Sequence, residues 1–331
     1  MGMTASEISK PFEIDSLLGG GVVRQRTLKN QVSCSGVGLH SGDNITITIK
    51  PADVGSGVVF RRVDVTEGDA DIPATWDRVT DTRLCTSIGN EAGVGVSTIE
   101  HLMAALAGCG VDNALIEIDG SEVPIMDGSS EPFVFLLKSV GLIEQDAARR
   151  IIRIDKPISV EAGDSRAVLE PGPCLTLDLE IDFDSSAVAR QSLSLGVVNG
   201  SFCRELASAR TFGFLHEVEQ LRAAGLARGG SLDNAIVVDD GVIMNDGGLR
   251  FKDEFVRHKM LDAFGDLYLA GAPIVGRLRG HRTGHALNNA LLKALFASPD
   301  CWSFDVMRGA EMSTAVDGGI KAQPLPIAQV A

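Results

Sequence analysis

What this chain lacks narrows its class first. Its six cysteines, Cys34, Cys85, Cys109, Cys174, Cys203 and Cys301, form no CxxC pair, which argues against a structural zinc site of four thiolates. Such scattered thiols are expected to stay reduced, as in a cytoplasmic protein. No apolar run approaches the ~20 residues of a membrane-crossing helix, so no integral membrane segment is expected. The opening stretch MGMTASEISKPFEIDSLLGGGVV has no basic start followed by an apolar core, and so does not read as a secretory signal. Residues 1–24 are expected to form a flexible extension. Cations are also in deficit, with 30 Lys and Arg against 44 Asp and Glu and a net charge of −14. That balance argues against nucleic acid as a partner, because backbone-directed binding needs clustered Lys and Arg.

What is present suits a folded two-domain chain. It has 331 residues, 44% of them hydrophobic, enough for a sizeable core. Asn44 to Lys50 (NITITIK) alternates as a half-buried strand does, and Gly57 to Val63 and Ala114 to Ile118 read as strands. Ser97 to Ala107 and Pro132 to Val140 read as helices. Glu144 to Arg150 (EQDAARR) is charged and aperiodic and is taken as a linker. Strands then resume at Ile151–Ile154, Ile158–Val160, Ala167–Leu169 and Leu175–Ile181. Helical patterns follow at Phe202–Ala207, Asp253–Gly271 and His285–Phe296. Two blocks of strands plus about two helices predict an α+β fold, with domains at 25–145 and 151–315 and a tail at 316–331. No sequence repeat relates them.

Chemistry concentrates in four runs. In DEFVRHKMLDAFGDLYLAG, His258, Asp262 and Asp266 fall four apart, on one helical face. Val256, Met260, Ala263, Phe264 and Leu267 form the apolar stripe, so the helix is expected to pack by that side and show its acids on the other. In VSTIEHLMAALAG, Ser97 or Thr98 can cap the helix. Glu100 and His101 lie off its Ile99, Leu102, Met103 and Leu106 stripe. The rest of that face is alanine, so another helix is expected to cover it. A buried carboxylate beside a histidine needs a partner, and a shared cation serves. His101, His258 and Asp262 together make a two-nitrogen, one-carboxylate set that suits zinc with an open position. Glu100 can then take a proton from water. Asp266 can orient a histidine.

The other two runs supply partners. His285, in GHRTGHALNNALLKAL, follows a glycine at a helix start, where Asp266 could keep it protonated against the helix dipole. Thr211, in ARTFGF, could donate its hydroxyl to an oxyanion, and Phe212 could stack on a ring. Alternatives stand beside each. His258 with Asp262 also suits a surface ion pair, Glu100–His101 a helix-end acid beside a satisfied histidine, and His285 simple capping. His40 reads as a turn or supporting residue, and His216 and His281 as surface residues.

At these residues the chain resembles the UDP-3-O-acyl-N-acetylglucosamine deacetylase family, zinc enzymes of lipid A synthesis. The matching runs include QRTLKNQVSCSGVGLHSG, DTRLCTS, STIEHLMAALAG, VDNALIEIDGSEVPIMDGSSEPFV, SARTFGF, GGSLDNAIVVDD, LRFKDEFVRHKMLDAFGDLYLAG and GHALNN, spanning roughly Gln25 to Asn289. The resemblance implies two β-α-α-β domains with their helices facing each other, each with a small insert. It implies zinc on His101, His258 and Asp262, with Glu100 as base. It implies His285 as the acid or electrostatic histidine, Asp266 orienting it, and Thr211 at the oxyanion. Iron(II) can occupy the same ligand set. Phe212 and Lys259 match substrate-contacting positions. Arg282 stands where some relatives have lysine, changing a point charge to a fork. The second insert, about 213–248, implies a helix lining an acyl-chain passage, with Leu215, Val218, Leu221 and Leu226 as candidates. Cys85 lies near the metal in some members and is given no role. The implied substrate is a UDP-linked acylated glucosamine, and a cytoplasmic monomer near the inner membrane face is expected. Rival readings are a zinc amidohydrolase of another acylated amine and a non-catalytic UDP-lipid binding module.

Overall fold

The computed structural model describes residues 21–198 and 200–309. The proposed tail at 316–331 and most of the proposed N-terminal extension lie outside them. Arg24, placed in that extension, begins a strand (Arg24–Leu28).

Two mixed five-stranded sheets frame the molecule. The first contains β1 (Val32–Val37), β2 (Asn44–Pro51), β3 (Val58–Arg62), β4 (Asp71–Pro73) and β5 (Ala114–Ile118), in the order β1-β2-β5-β3-β4. The second contains β6 (Ile158–Ala162), β7 (Ser165–Glu170), β8 (Thr176–Asp182), β9 (Arg190–Gly196) and β10 (Arg277–His281), in the order β6-β7-β10-β8-β9. In both sheets the last strand enters the middle, antiparallel to the second strand and parallel to the third. Alternation explains the buried faces: Ile45, Ile47 and Ile49 point inward from β2, and Leu177, Leu179 and Ile181 from β8.

Six α-helices occur among the described residues: α1 (Glu100–Cys109), α2 (Glu131–Val140), α3 (Ser201–Glu205), α4 (Leu215–Ala223), α5 (Glu254–Tyr268) and α6 (His285–Phe296). In each half one helix lies directly before the inserted central strand, and one follows it. Helices α1 and α5 pack on each other, while α5 and α6 cover the second sheet. Both inner sheet faces and the helices between them belong to one buried cluster. This is the α+β architecture expected, helix against helix between two sheets. Each half also carries a small three-stranded insert between its fourth strand and its first long helix. The first is Val79–Asp81, Ser87–Gly89 and Gly95–Val96; the second is Phe212–Phe214, Ile236–Asp239 and Val242–Ile243.

Three expectations need correction. The stretch taken as a linker lies mostly in a strand, Leu142–Ala148, paired antiparallel with Arg24–Leu28. Its charged side chains sit on a sheet edge, where they meet Arg24 and Arg26. Helix α5 packs by both faces, not by one. All its residues but Lys259 are buried, because α1 covers the face opposite its apolar stripe. Neither Ser97 nor Thr98 caps α1: the N-cap is Ile99, with no side-chain bond. Thr98 instead sits at φ +56 and gives its hydroxyl to Glu122, a conformation that costs a β-branched residue ~1–3 kcal/mol.

Candidate active site

The crossing of α1 and α5 is set by glycine. A Cβ on Gly265 would lie 2.1 Å from the Glu100 carbonyl oxygen and 3.1 Å from the Ala104 nitrogen. Only hydrogen at this position lets the two backbones touch. Ala104 and Ala105, on the alanine face of α1, are fully buried. The crossing therefore brings the first turn of α1 against the middle of α5.

There, ligand atoms of His101, His258 and Asp262 lie within 4.8 Å of one another, all buried. Asp262 Oδ1 stands 3.5 Å from His101 Nε2 and 3.4 Å from His258 Nε2. It is buried and has no hydrogen-bond partner. These separations are too long for hydrogen bonds. They match the edges of a tetrahedron whose bonds are about 2.0–2.2 Å, which run about 3.3–3.6 Å. An orphaned buried carboxylate oxygen facing two imidazoles is costly unless a cation joins them. The residues present fit a divalent metal.

The surroundings prepare these ligands. The Ala209 carbonyl lies 3.1 Å from His258 Nδ1, which fixes that nitrogen as the donor and leaves Nε2 with its lone pair. Burial, with further contributions from His101 and Lys259, outweighs the pull of Asp262 and drops His258 to about 3, so the ring is neutral and ready to ligate. Burial alone would raise Asp262, but His258, Lys259, His101 and His285 around it hold it well below the usual carboxylate range. Lys259 bonds Asp262 Oδ2 at 2.8 Å; the side chain matched to a substrate contact is thus turned toward a ligand carboxylate.

An acid and base pair lies alongside. Glu100 Oε1 is 3.9 Å from His285 Nε2. Burial raises Glu100 above the usual carboxylate range, against the pull of His285 and His101. His285 starts α6, and its Nδ1 bonds Asp266 Oδ2 at 2.8 Å. Burial works against the charge on His285, but Asp266 and Glu100 lift it to about 9. Asp266 also accepts from Asn288 Nδ2 at 2.8 Å and from Thr86 Oγ1 at 2.6 Å. The Thr86 backbone N–H donates to Glu100 Oε2 at 3.1 Å. Thr86 therefore ties the two carboxylates into one network across the halves.

A cleft of about 200 Å³ opens on these groups. Thr211 and Phe212 line it, as do Lys259, Leu84, His40 and Phe214. Phe212 packs edge-on to His258 and Phe255. His40 does more than sit in a turn: both ring nitrogens are buried and unpartnered at the cleft wall. Cys85 also lines the cleft, its thiol pushed up to about 12 by burial. Arg282 stands apart from the cleft lining, bonded at 2.8 Å to Asp182. Leu215, Val218 and Leu221 are half-buried on α4, outside that lining, with Val218 packed over Gly213. Leu226 is more exposed, beyond the end of α4. His281 bonds Glu180, and His216 is exposed against Phe214.

Thr86, Asn288, Glu122 and the Ala209 carbonyl were not singled out from the sequence. Asn288 follows His285 by three on one helix, a spacing that could have marked it. Glu122 accepts from the His40 and Ser41 backbones and from Thr98, a role no spacing reveals.

Comparison with known proteins identifies the family. A model of the family described as UDP-3-O-acyl N-acetylglycosamine deacetylase matches residues 25–297. The chain is 51% identical to the UDP-3-O-acyl-N-acetylglucosamine deacetylase of Idiomarina loihiensis, over 89% of this chain and 96% of that one. It is 52% identical to the enzyme of that name from Acidithiobacillus ferrooxidans, over 86% and 93%. With that of Shewanella loihica it shares 50% identity, over 90% and 99%.

Proposed function

The chain belongs to the UDP-3-O-acyl-N-acetylglucosamine deacetylase family, and from that premise we propose its reaction. It hydrolyses the acetamide of a UDP-3-O-(3-hydroxyacyl)-N-acetylglucosamine to the free amine and acetate, the committed step of lipid A biosynthesis. His101, His258 and Asp262 would hold one zinc ion. When bound, zinc supplies Lewis acidity, lowering the pKa of water to ~7 and polarising a carbonyl.

The side chains do the rest. Glu100 takes a proton from the attacking water, its burial having raised its basicity. The water oxygen adds to the acetamide carbon. His285, protonated and aimed by Asp266, stabilises the oxyanion together with the Thr211 hydroxyl. Its Nδ1 is committed to Asp266, so Nε2 is the proton donor for the leaving amine. The C–N bond breaks and acetate remains. Phe212 stacks on the sugar ring, and Lys259 and Arg282 meet the diphosphate, each giving up its present carboxylate partner.

The acyl chain would run past the second insert, along Leu215, Val218, Leu221 and Leu226. Leu226, Leu232, Val242 and Met244 are all exposed there, an apolar surface that suits a lipid. The setting we propose is a cytoplasmic monomer, which light scattering and fractionation test.

The observation that carries this reading is the convergence of three ligand atoms beside Glu100 and His285. Its test is metal content paired with acetate release from the UDP-linked acylated sugar. About one zinc per chain with stoichiometric acetate is expected. Metal-free purified protein, or no acetate from metal-loaded protein, sinks it.

A further inference from the structure

The turn that leads into α2 is tied to both halves of the molecule. The Gly128 N–H donates to the Ile125 carbonyl at 3.0 Å. Met126 sits there at φ +56 and Gly128 at φ +86. Asp127 braces the turn: its Oδ1 accepts the Ser129 N–H at 3.0 Å and the Ser129 hydroxyl at 2.8 Å. Ser130, fully buried, gives its hydroxyl to the His101 carbonyl at 2.7 Å. The turn is thereby fixed to the start of α1, at one of the three candidate metal ligands.

Its other side reaches the second half. The Gly128 carbonyl accepts the Thr211 N–H at 2.8 Å. A Cβ on Gly128 would lie 2.2 Å from the Asn234 carbonyl oxygen, so two backbones touch here as they do at Gly265. Asp127 Oδ2, the oxygen that the turn does not use, meets Arg250 Nη1 at 2.9 Å. The same nitrogen donates to the Ser208 carbonyl at 2.9 Å. Second-half groups hold the rest of this segment: His258 at the Ala209 carbonyl, Glu254 at the Arg210 side chain, and the Ile236 N–H at the Thr211 carbonyl. Those contacts set Thr211 relative to α5. Gly128 sets it relative to α1.

We propose that Asp127 and Gly128 are positioning residues, which hold the Thr211 hydroxyl of the second half in register with the His101 end of α1. This builds on the hydrolytic reading above and on Thr211 as an oxyanion donor. Neither residue belongs to the cleft lining, so both act through Thr211. A donor serves an oxyanion at about 2.7–3.1 Å, and a displacement of ~1 Å between the halves forfeits it. The loss falls on the transition state, where charge develops on the carbonyl oxygen, and therefore on kcat rather than KM. Asp127 and Arg250 are both half-buried, so their tie contributes a small share. The backbone contact at Gly128 contributes more.

The test is a set of double-mutant cycles on the full-length, metal-loaded enzyme, with acetate release giving kcat and KM and with zinc content measured alongside. Thr211→Val alone should lower kcat at least about tenfold. Asp127→Asn keeps the acceptor for Ser129 and weakens only the tie to Arg250. It should lower kcat about threefold to fivefold with KM and zinc unchanged. Gly128→Ala meets both a left-handed backbone and the Asn234 carbonyl, and should cost at least about tenfold. In the Thr211→Val background each should add little further loss. Losses that multiply in full would overturn the proposal, since the turn would then act independently of Thr211. So would a wild-type kcat in Asp127→Asn, the variant that leaves the turn's own hydrogen bonds in place. Full kcat in Thr211→Val would remove the oxyanion role and the positioning role together, while acetate release by the wild type would still support the hydrolytic reading.

Discussion

The first sheet, β1-β2-β5-β3-β4, and the second, β6-β7-β10-β8-β9, follow the same path, strand for strand. Each half inserts its small sheet at the same point and flanks its last strand with two helices. Their chemistry differs. The first half contributes Glu100 and His101, adjacent residues about 100° apart on the helix, so one can serve as base while the other ligates. The second contributes His258, Asp262 and Asp266, spaced by four so that they share a face, and adds His285 from α6. Neither half holds all three candidate ligand atoms, and neither holds both the proposed acid and the proposed base. A duplicated framework thus carries a divided site, and the crossing at Gly265 assembles it.

The largest expected effect tests where the base resides. Glu100→Gln should keep its metal and lose about 10²–10⁴ in kcat, measured by acetate release alongside metal analysis. Full turnover with metal bound would remove the base from the first half. Next comes the acid of the second half. Asp266→Asn should lower kcat by about 10–100-fold and move the alkaline limb of the pH profile. The sign follows from charge: Asp266 and Glu100 outweigh burial and hold His285 protonated up to about 9. Turnover that needs this proton is present below about 9 and fades as pH rises through it. Losing the Asp266 charge should bring that limb to lower pH, and an unmoved limb would detach Asp266 from His285. The same shift stabilises the fold fully below the ordinary imidazole value of 6.5, and that contribution is lost as pH rises through about 9.

Gly265→Ala addresses the crossing itself. The added methyl meets backbone, so a loss of about 1–3 kcal/mol is expected in urea unfolding, with weaker metal retention. Unchanged stability and metal would mean that another contact sets the register. The smallest effect compares the two inserts. Each methylene removed from the acyl chain should lower kcat/KM about fourfold, from ~0.8 kcal/mol of lost burial. A substrate series that is indifferent to length would separate the second insert from the lipid.

Much of this was legible in the sequence because helical spacing is local. The His258, Asp262, Asp266 face and the alanine-clad helix of Glu100 follow from counting by 3.6, and α6 falls on the expected residues His285–Phe296. Strand β10 was missed because its alternation is Arg277, Leu278, Arg279, Gly280, with only Leu278 a large apolar residue. The Leu142–Ala148 strand was read as a linker because an edge strand can be charged on both sides. Thr86 and Glu122 escaped for a different reason. Their partners lie far along the chain, at Asp266 for the first and at His40 and Ser41 for the second, and no local pattern records such a meeting.

The glycine contact at the crossing has one more consequence. His101 rides on one helix and Asp262 on the other, so their 3.5 Å separation is also a reading of the distance between the two rods. Anything that spreads the rods, whether mutation, heat or pressure, must loosen the coordination by the same amount. A spectroscopically visible ion such as cobalt(II) would then act as a built-in ruler. Its band positions would report the spacing of the halves before unfolding becomes visible by any other means.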